Sequence, residues 1–121
     1  MPYWRLHYHS VWSCKNREGL ITSDLEPELF GYVKEKTFDL GGIPHAVGGI
    51  ADHLHLIFSL SPKYAVADFI GKLKGASSHW VTNVLQYPEL FGWQRGYGVL
   101  SFGDRAIARV VDYVLNQKGT S

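Results

Sequence analysis

Short strand-like runs and two helical ones follow the order β-α-β-β-α-β, with one more helix after them. That order predicts an α+β fold: a ferredoxin-like split β-α-β antiparallel sheet, helices on one face, and a C-terminal helix added. Two further observations predict a single domain spanning 1–121. The chain has 121 residues, and 45% of them are apolar, enough for a real core. No repeat or low-complexity tract interrupts the pattern.

Residues 3–13, YWRLHYHSVWS, alternate and are rich in aromatic and β-branched types, which predicts the first strand. The loop CKNREG follows. Ser23 and Glu26 have capping-box spacing and open a predicted helix through FGYVKEKTF, with Pro27 able to move its start inward. Gly41-Gly42 ends that helix. Residues 43–50, IPHAVGGI, read as a weak strand with a turn near Gly48-Gly49, and 52–60, DHLHLIFSL, as a strong one. Pro62 stops it. Residues 64–87 read as helical, with Val66, Phe69, Ile70 and Leu73 at helical spacing. Gly71 and Gly75 each cost that helix about 1 kcal/mol relative to alanine. Residues 97–102, YGVLSF, read as a short strand, and 104–117, DRAIARVVDYVLNQ, as the last helix.

Charged residues are 19% and aromatics 14%, so apolar surface hidden in a partner, and hence an oligomer, is expected. The formal charge of +1 excludes a histone-like polycation that binds nucleic acid by bulk charge. Residues 18–39 carry six acids against two bases, so a polyanion is directed to the other elements. Cys14, the lone cysteine, can make no internal disulfide, and no thiolate pair exists for zinc. The start MPYWRLHYHS lacks a basic segment followed by an apolar run, and no stretch approaches ~18 apolar residues. A cytoplasmic chain without a membrane segment is the expectation.

His53 and His55 are two apart on the strongest strand, so both face one side while Leu54, Leu56 and Phe58 face a core on the other. Asp52 is expected to face away from the imidazoles. Two neutral imidazoles at that spacing can reach one divalent ion; equally, an isolated His-x-His is often an ordinary half-buried pair. A metal site needs a third ligand. On the last helix, Ile107, Val110, Val111, Val114 and Leu115 form one apolar stripe, and Arg109, Tyr113 and Gln117 step by four along a neighbouring row. Tyr113 is either packed on an adjacent surface or a phenol nucleophile, with Gln117 one turn on as an amide-oxygen donor.

Lys72 and Lys74, with Ser77, Ser78 and His79 beside them, can hold phosphates, as can Lys15, Arg17, Arg105 and Arg109. Each taken alone reads equally as a solvated surface charge. Trp80, Trp93 and Tyr97 can stack bases or pack in a core or dimer. His7, His9 and His45 show no partner pattern.

Taken together, HYHSVWSCKNR, ADHLHLIFSL, FIGKLKGASSHWV, GWQRGYGVLSF and VVDYVLNQK resemble the single-tyrosine HUH transposases of small insertion sequences and their relatives, the REP-associated tyrosine transposases. The resemblance runs from about Tyr3 to Gln117. It implies His53 and His55 as metal ligands, Gln117 as the third, and Tyr113 as the nucleophile. It also implies Mg²⁺ or Mn²⁺, single-stranded DNA with hairpin ends, and a homodimer in which one subunit's tyrosine helix can complete the other's histidine site. Attack by the phenol would leave a 5′-phosphotyrosine and a free 3′-OH, which a second 3′-OH reseals without ATP. Family members commonly continue past the tyrosine helix into a polar tail, whereas this sequence stops at Ser121; that bears on hairpin recognition and helix docking. A non-catalytic or co-opted single-strand-binding module of the same fold is the alternative, and failure to bind a divalent metal would favour it.

Overall fold

The computed structural model describes residues 6–117. Its elements are β1 (His7–Ser13), α1 (Leu25–Asp39), β2 (Gly42–Ile50), β3 (His53–Leu60), α2 (Val66–His79), β4 (Gly98–Phe102) and α3 (Ile107–Leu115). The four strands form one antiparallel sheet in the order β2-β3-β1-β4. This is the split β-α-β arrangement read from the sequence. The expected start of the first strand at Tyr3 lies outside the described residues.

Alternation along the central strands divides the sheet into two chemically different faces. Trp12, Leu54, Leu56, Phe58 and Leu60 point to the face covered by α1 and α2, where Leu25, Leu29, Val33, Phe69, Ile70 and Leu73 close over them. All of these are essentially buried. His7, His9, Val11, His53, His55, Ile57 and Ser59 take the other face, where α3 lies across β2 and β3. Its apolar contact is small: buried Ala46, Ile57 and Val114, with Phe102, Val110 and Val111 around them. Leu115, expected on the stripe, is 62% exposed.

Several boundaries differ from the sequence reading, each for a local reason. The first helix starts at Leu25, whose N–H donates to Thr22 Oγ1 at 3.2 Å, and Asp24 in the cap position makes no side-chain capping bond. Pro27 sits in the first turn, where a missing N–H costs nothing. Gly41, at φ 96°, ends the helix in the left-handed conformation that suits glycine. No turn forms at Gly48-Gly49; β2 runs through both, and the chain reverses at Ala51-Asp52 instead. The long helix expected to 87 ends as α-helix at His79 and continues as a π turn, Trp80–Val84. Gly71 and Gly75 are exposed on it with open space where a Cβ would stand, so they cost propensity and no packing. The last helix is preceded by a 3₁₀ turn, Asp104–Ala106.

Candidate active site

Two imidazoles of β3 form the centre. The His53 and His55 rings lie 4.9 Å apart at 68°. Each has its Nδ1 engaged by a neighbour. His53 Nδ1 bonds Asp52 Oδ1 at 2.8 Å, and His55 Nδ1 meets His9 Nε2 at 2.7 Å. With Nδ1 occupied in this way, both Nε2 atoms are left to act as ligands, the arrangement that fixes tautomer and ring orientation in metal sites. Asp52 therefore does not face away, as alternation alone suggested. It belongs to the turn ahead of β3, outside the pleat, and its carboxylate folds back onto the ring.

His9 is a site residue that the sequence reading left unassigned. The signal was present: in the split order β1 lies against β3, so the His7-Tyr8-His9 run is brought beside His53-Leu54-His55. His55 is pushed down to about 4, first by burial and then by the neighbouring His9 and His53. Burial also lowers His9. His55 thus stays neutral, with its lone pair available, through the physiological range.

Tyr113 of α3 reaches this centre within the same chain. Its ring centroid lies 6.2 Å from those of His9 and His55, and the residue is 49% exposed. What brings the helix so close is Gly48, which pairs with His55 across β2 and β3. A Cβ at Gly48 would stand 2.2 Å from the Val114 carbonyl oxygen and 2.8 Å from its side chain. Val114 can therefore settle onto the sheet only over a residue without a side chain, and Tyr113 is carried in beside it. Gln117 follows the helix and lines a shallow cleft of about 220 Å³ with Phe30, Val47, Gly48, Gly49 and Val114.

A second polar cluster holds the other end of the helix. His7 Nε2 bonds the Asp104 carboxylate, and its Nδ1 meets Ser59 Oγ at 2.6 Å. Ser59 Oγ also meets His45 Nε2 at 2.6 Å. Asp104 opens the turn before α3, so this chain ties the helix's start to the ends of the central strands β1 and β3. No spacing rule would have joined four residues so far apart in sequence.

The basic candidates divide by environment. Lys15 and Arg17 lie in the turn after β1, and Arg105 and Arg109 are exposed on the α3 segment. Lys72 pairs with Asp68 at 3.1 Å, one helical turn away. Lys74 donates to the carbonyls of Gln94 and Gly96 at 2.7 Å each, and burial lowers its pKa. Ser77 is buried and takes a bond from Trp93 Nε1 at 2.9 Å, so it serves the core and not a phosphate. His79 bonds Asn83 at 3.0 Å. Trp93 packs edge-on against Trp12 and Phe91, and Trp80 stacks on Tyr32. Among the described residues no three His, Cys, Asp or Glu are gathered to hold a metal; an ion held by the imidazole pair would take its next donor from another residue type, such as an amide oxygen. No helix of the described residues is long and apolar enough to cross a membrane.

Comparison with known proteins adds independent findings. The sequence profile of the IS200-like transposases matches residues 2–117. The transposase of insertion sequence element IS200 from Salmonella typhimurium is 36% identical over 94% of this chain and 78% of its own length. The ISDra2 transposase TnpA of Deinococcus radiodurans is 26% identical over 94% and 85%. Among solved structures, a transposase candidate from Deinococcus radiodurans superposes with a TM-score of 0.78 at 23% identity, covering 96% of this chain and 93% of that one. A REP-associated tyrosine transposase bound to a REP hairpin superposes with a TM-score of 0.70 at 14% identity, covering 99% and 71%.

Proposed function

The chain belongs to the family of IS200-like transposases, and on that premise we propose that it nicks and rejoins single-stranded DNA through a covalent link to Tyr113. One observation carries the reading: a half-exposed phenol lies against a buried, neutral imidazole group in a chain of this family. The Tyr113 oxygen attacks the phosphorus, the bond to the 3′ oxygen breaks, and the products are a 5′-phosphotyrosine and a 3′-OH. Bond energy is retained in the protein–DNA link, so a second 3′-OH reverses the step on a new strand. Asp52 and His9 hold the two imidazoles in the orientation that leaves both Nε2 atoms outward.

The chemistry of the donors suits a divalent cation, Mg²⁺ or Mn²⁺: His53 and His55 would hold it, and the Gln117 amide oxygen, which lines the cleft at Gly48 on the neighbouring strand, would be the third ligand. Such an ion, when bound, draws charge from the phosphate and orients it. Hairpin-bearing DNA is the proposed substrate, in keeping with the hairpin bound by the structural neighbour. A homodimer is proposed from the low charge and high aromatic content. In it, each tyrosine helix serves its own chain's histidines or those of its mate.

The test is a nicking assay on hairpin-bearing single strands with Mg²⁺, read as a protein band shifted by attached DNA. Tyr113→Phe is expected to abolish the adduct while the variant still folds and binds DNA. Adducts persisting in that variant overturn the assignment of Tyr113. DNA binding by the unaltered chain with no adduct and no effect of divalent ions would instead favour the non-catalytic module.

A further inference from the structure

Beside the histidine–tyrosine centre, and not used in the reaction above, lies a cleft of about 360 Å³ between the end of β1 and the loop that leads into β4. Its walls include Val11, Ser13, Arg17, Gln94, Arg95 and Tyr97. Val11 and Ser13 are the cross-strand partners of His55 and His53, so the cleft begins one strand away from the imidazoles on the same face. We infer that it is a nucleotide subsite: it holds the stretch of DNA strand adjoining the scissile phosphate, with Arg17 and Arg95 each on a backbone phosphate and Tyr97 under a base. The inference rests on the chain acting on single-stranded DNA as proposed above.

Charge is the first support. Among the described residues neither Arg17 nor Arg95 forms an ion pair, and both are exposed. Two guanidiniums with no carboxylate partner among the described residues thus line one cleft of a chain whose net charge is only +1. Guanidinium forks match phosphate oxygens.

Pre-organisation is the second. Asn16 and Arg17 take φ of 58° and 56°, two successive non-glycine residues in the left-handed region. Such backbone is held only where surrounding bonds impose it, and it clusters at functional sites. The bonds are present. Lys15 N–H donates to Gly92 O at 2.9 Å, Asn16 N–H to Gln94 Oε1 at 2.8 Å, and Gln94 N–H to Ser13 O at 2.9 Å. From behind, the Lys74 ammonium clamps the Gln94 and Gly96 carbonyls. A partly buried ammonium is committed to fixing the shape of a loop whose outer side chains face solvent. That arrangement makes sense for a rigid rim that must meet a ligand.

The third is the ring. Tyr97 is 40% exposed, and among the described residues its ring packs against no other aromatic ring, whereas Trp80 stacks on Tyr32 and Trp93 meets Trp12 and Phe91 edge-on. An open ring beside unpaired cations is the recurring combination of single-strand binding surfaces, in which cations track the backbone and rings take bases of any sequence.

Binding is measured in the Tyr113→Phe background, so that no cleavage intervenes, by fluorescence anisotropy of fluorescein-labelled (dT)12 across a salt series. Arg17→Ala with Arg95→Ala is expected to weaken binding tenfold or more and to make the log–log salt slope shallower by about 1.4, the value for two single-strand phosphate contacts. Arg95→Lys restores part of the slope. Tyr97→Ala is expected to weaken binding five- to a hundredfold with the slope unchanged, and Tyr97→Phe to recover it. Lys34→Ala, on the exposed side of α1, is the control. Affinity and slope within twofold of the parent in the double arginine variant overturn the subsite. So does a thymine-to-protein photocross-link from 5-bromodeoxyuridine in the probe that maps away from residues 94–98. Because every readout is binding, loss of the phosphotyrosine reading through persistent Tyr113→Phe adducts leaves these outcomes separately decidable.

Discussion

Adding one methyl group at Gly48 tests the link between strand packing and the placement of the nucleophile. The Cβ of Gly48→Ala would stand 2.2 Å from the Val114 carbonyl oxygen, whereas real Cβ contacts stay beyond 3.0 Å. The obstacle is helix backbone, which has no rotamer to change, so α3 must retreat by about 0.8 Å or more. Overpacking of this kind costs about 1–3 kcal/mol. For a domain of this size that lowers Tm by roughly 5–15 °C. Tyr113 adjoins Val114, so the phenol moves with the helix, and a displacement near 1 Å costs on the order of 100-fold in rate. Thermal unfolding by circular dichroism and the rate of adduct formation on hairpin-bearing single strands measure the two effects. Gly71→Ala makes the same chemical change on the open side of α2, where nothing lies within 4 Å of the new Cβ. It is expected to raise stability by up to about 1 kcal/mol with no change in rate. Gly48→Ala that melts with the parent and forms adducts at its rate refutes the argument that this glycine seats the tyrosine.

Three more expectations follow from the same face. Asp104→Ala leaves the buried His7 without its carboxylate and should lower stability by about 1–3 kcal/mol, read from urea denaturation; an unchanged midpoint would show that the turn before α3 is anchored elsewhere. His55 has its folded pKa at about 4, below the ordinary 6.5, so between those values the unfolded chain takes up a proton that the folded chain refuses. Its stabilising contribution is complete above pH 6.5 and is lost as pH falls toward 4. Ring NMR of the metal-free protein should place the His55 midpoint near 4, and a midpoint at 6.5 contradicts the burial argument. Asp52→Asn keeps the size of the side chain but weakens the hold on His53 Nδ1, and is expected to reduce Mn²⁺ affinity ten- to a hundredfold by calorimetry; parental affinity would remove Asp52 from the site.

The parts of the fold that follow from period and local chemistry were legible in the sequence. Alternation in 52–60 assigns Leu54, Leu56 and Phe58 to the core and the two histidines to the opposite face, and the fold keeps that division. The step of four along the last helix sets Tyr113 off the apolar stripe, and it is exposed there. What sequence spacing could not supply is contact between distant segments. His9 joins His55 across 46 residues, and Asp104 joins His7 across 97. Glycine misled for a related reason. Gly48-Gly49 reads as a turn because glycine permits one, but here Gly48 gives up its side chain so that another element can approach. Lys74 and Ser77 read as phosphate contacts because their chemistry allows it, while tertiary structure spends both on the loop and the core.

Alternate residues of β3 serve two masters: Leu54, Leu56 and Phe58 fill the oily interior, while His53 and His55, between them, face the chemistry. Point changes can therefore drift on one side with little notice on the other. A single codon gained or lost within 53–58 is another matter, since it exchanges the roles of every later position in the strand. At the head of the strand such a change would thrust the imidazoles among the core side chains and bare the leucines and Phe58 to water, so both folding and reactivity would fail in the same event.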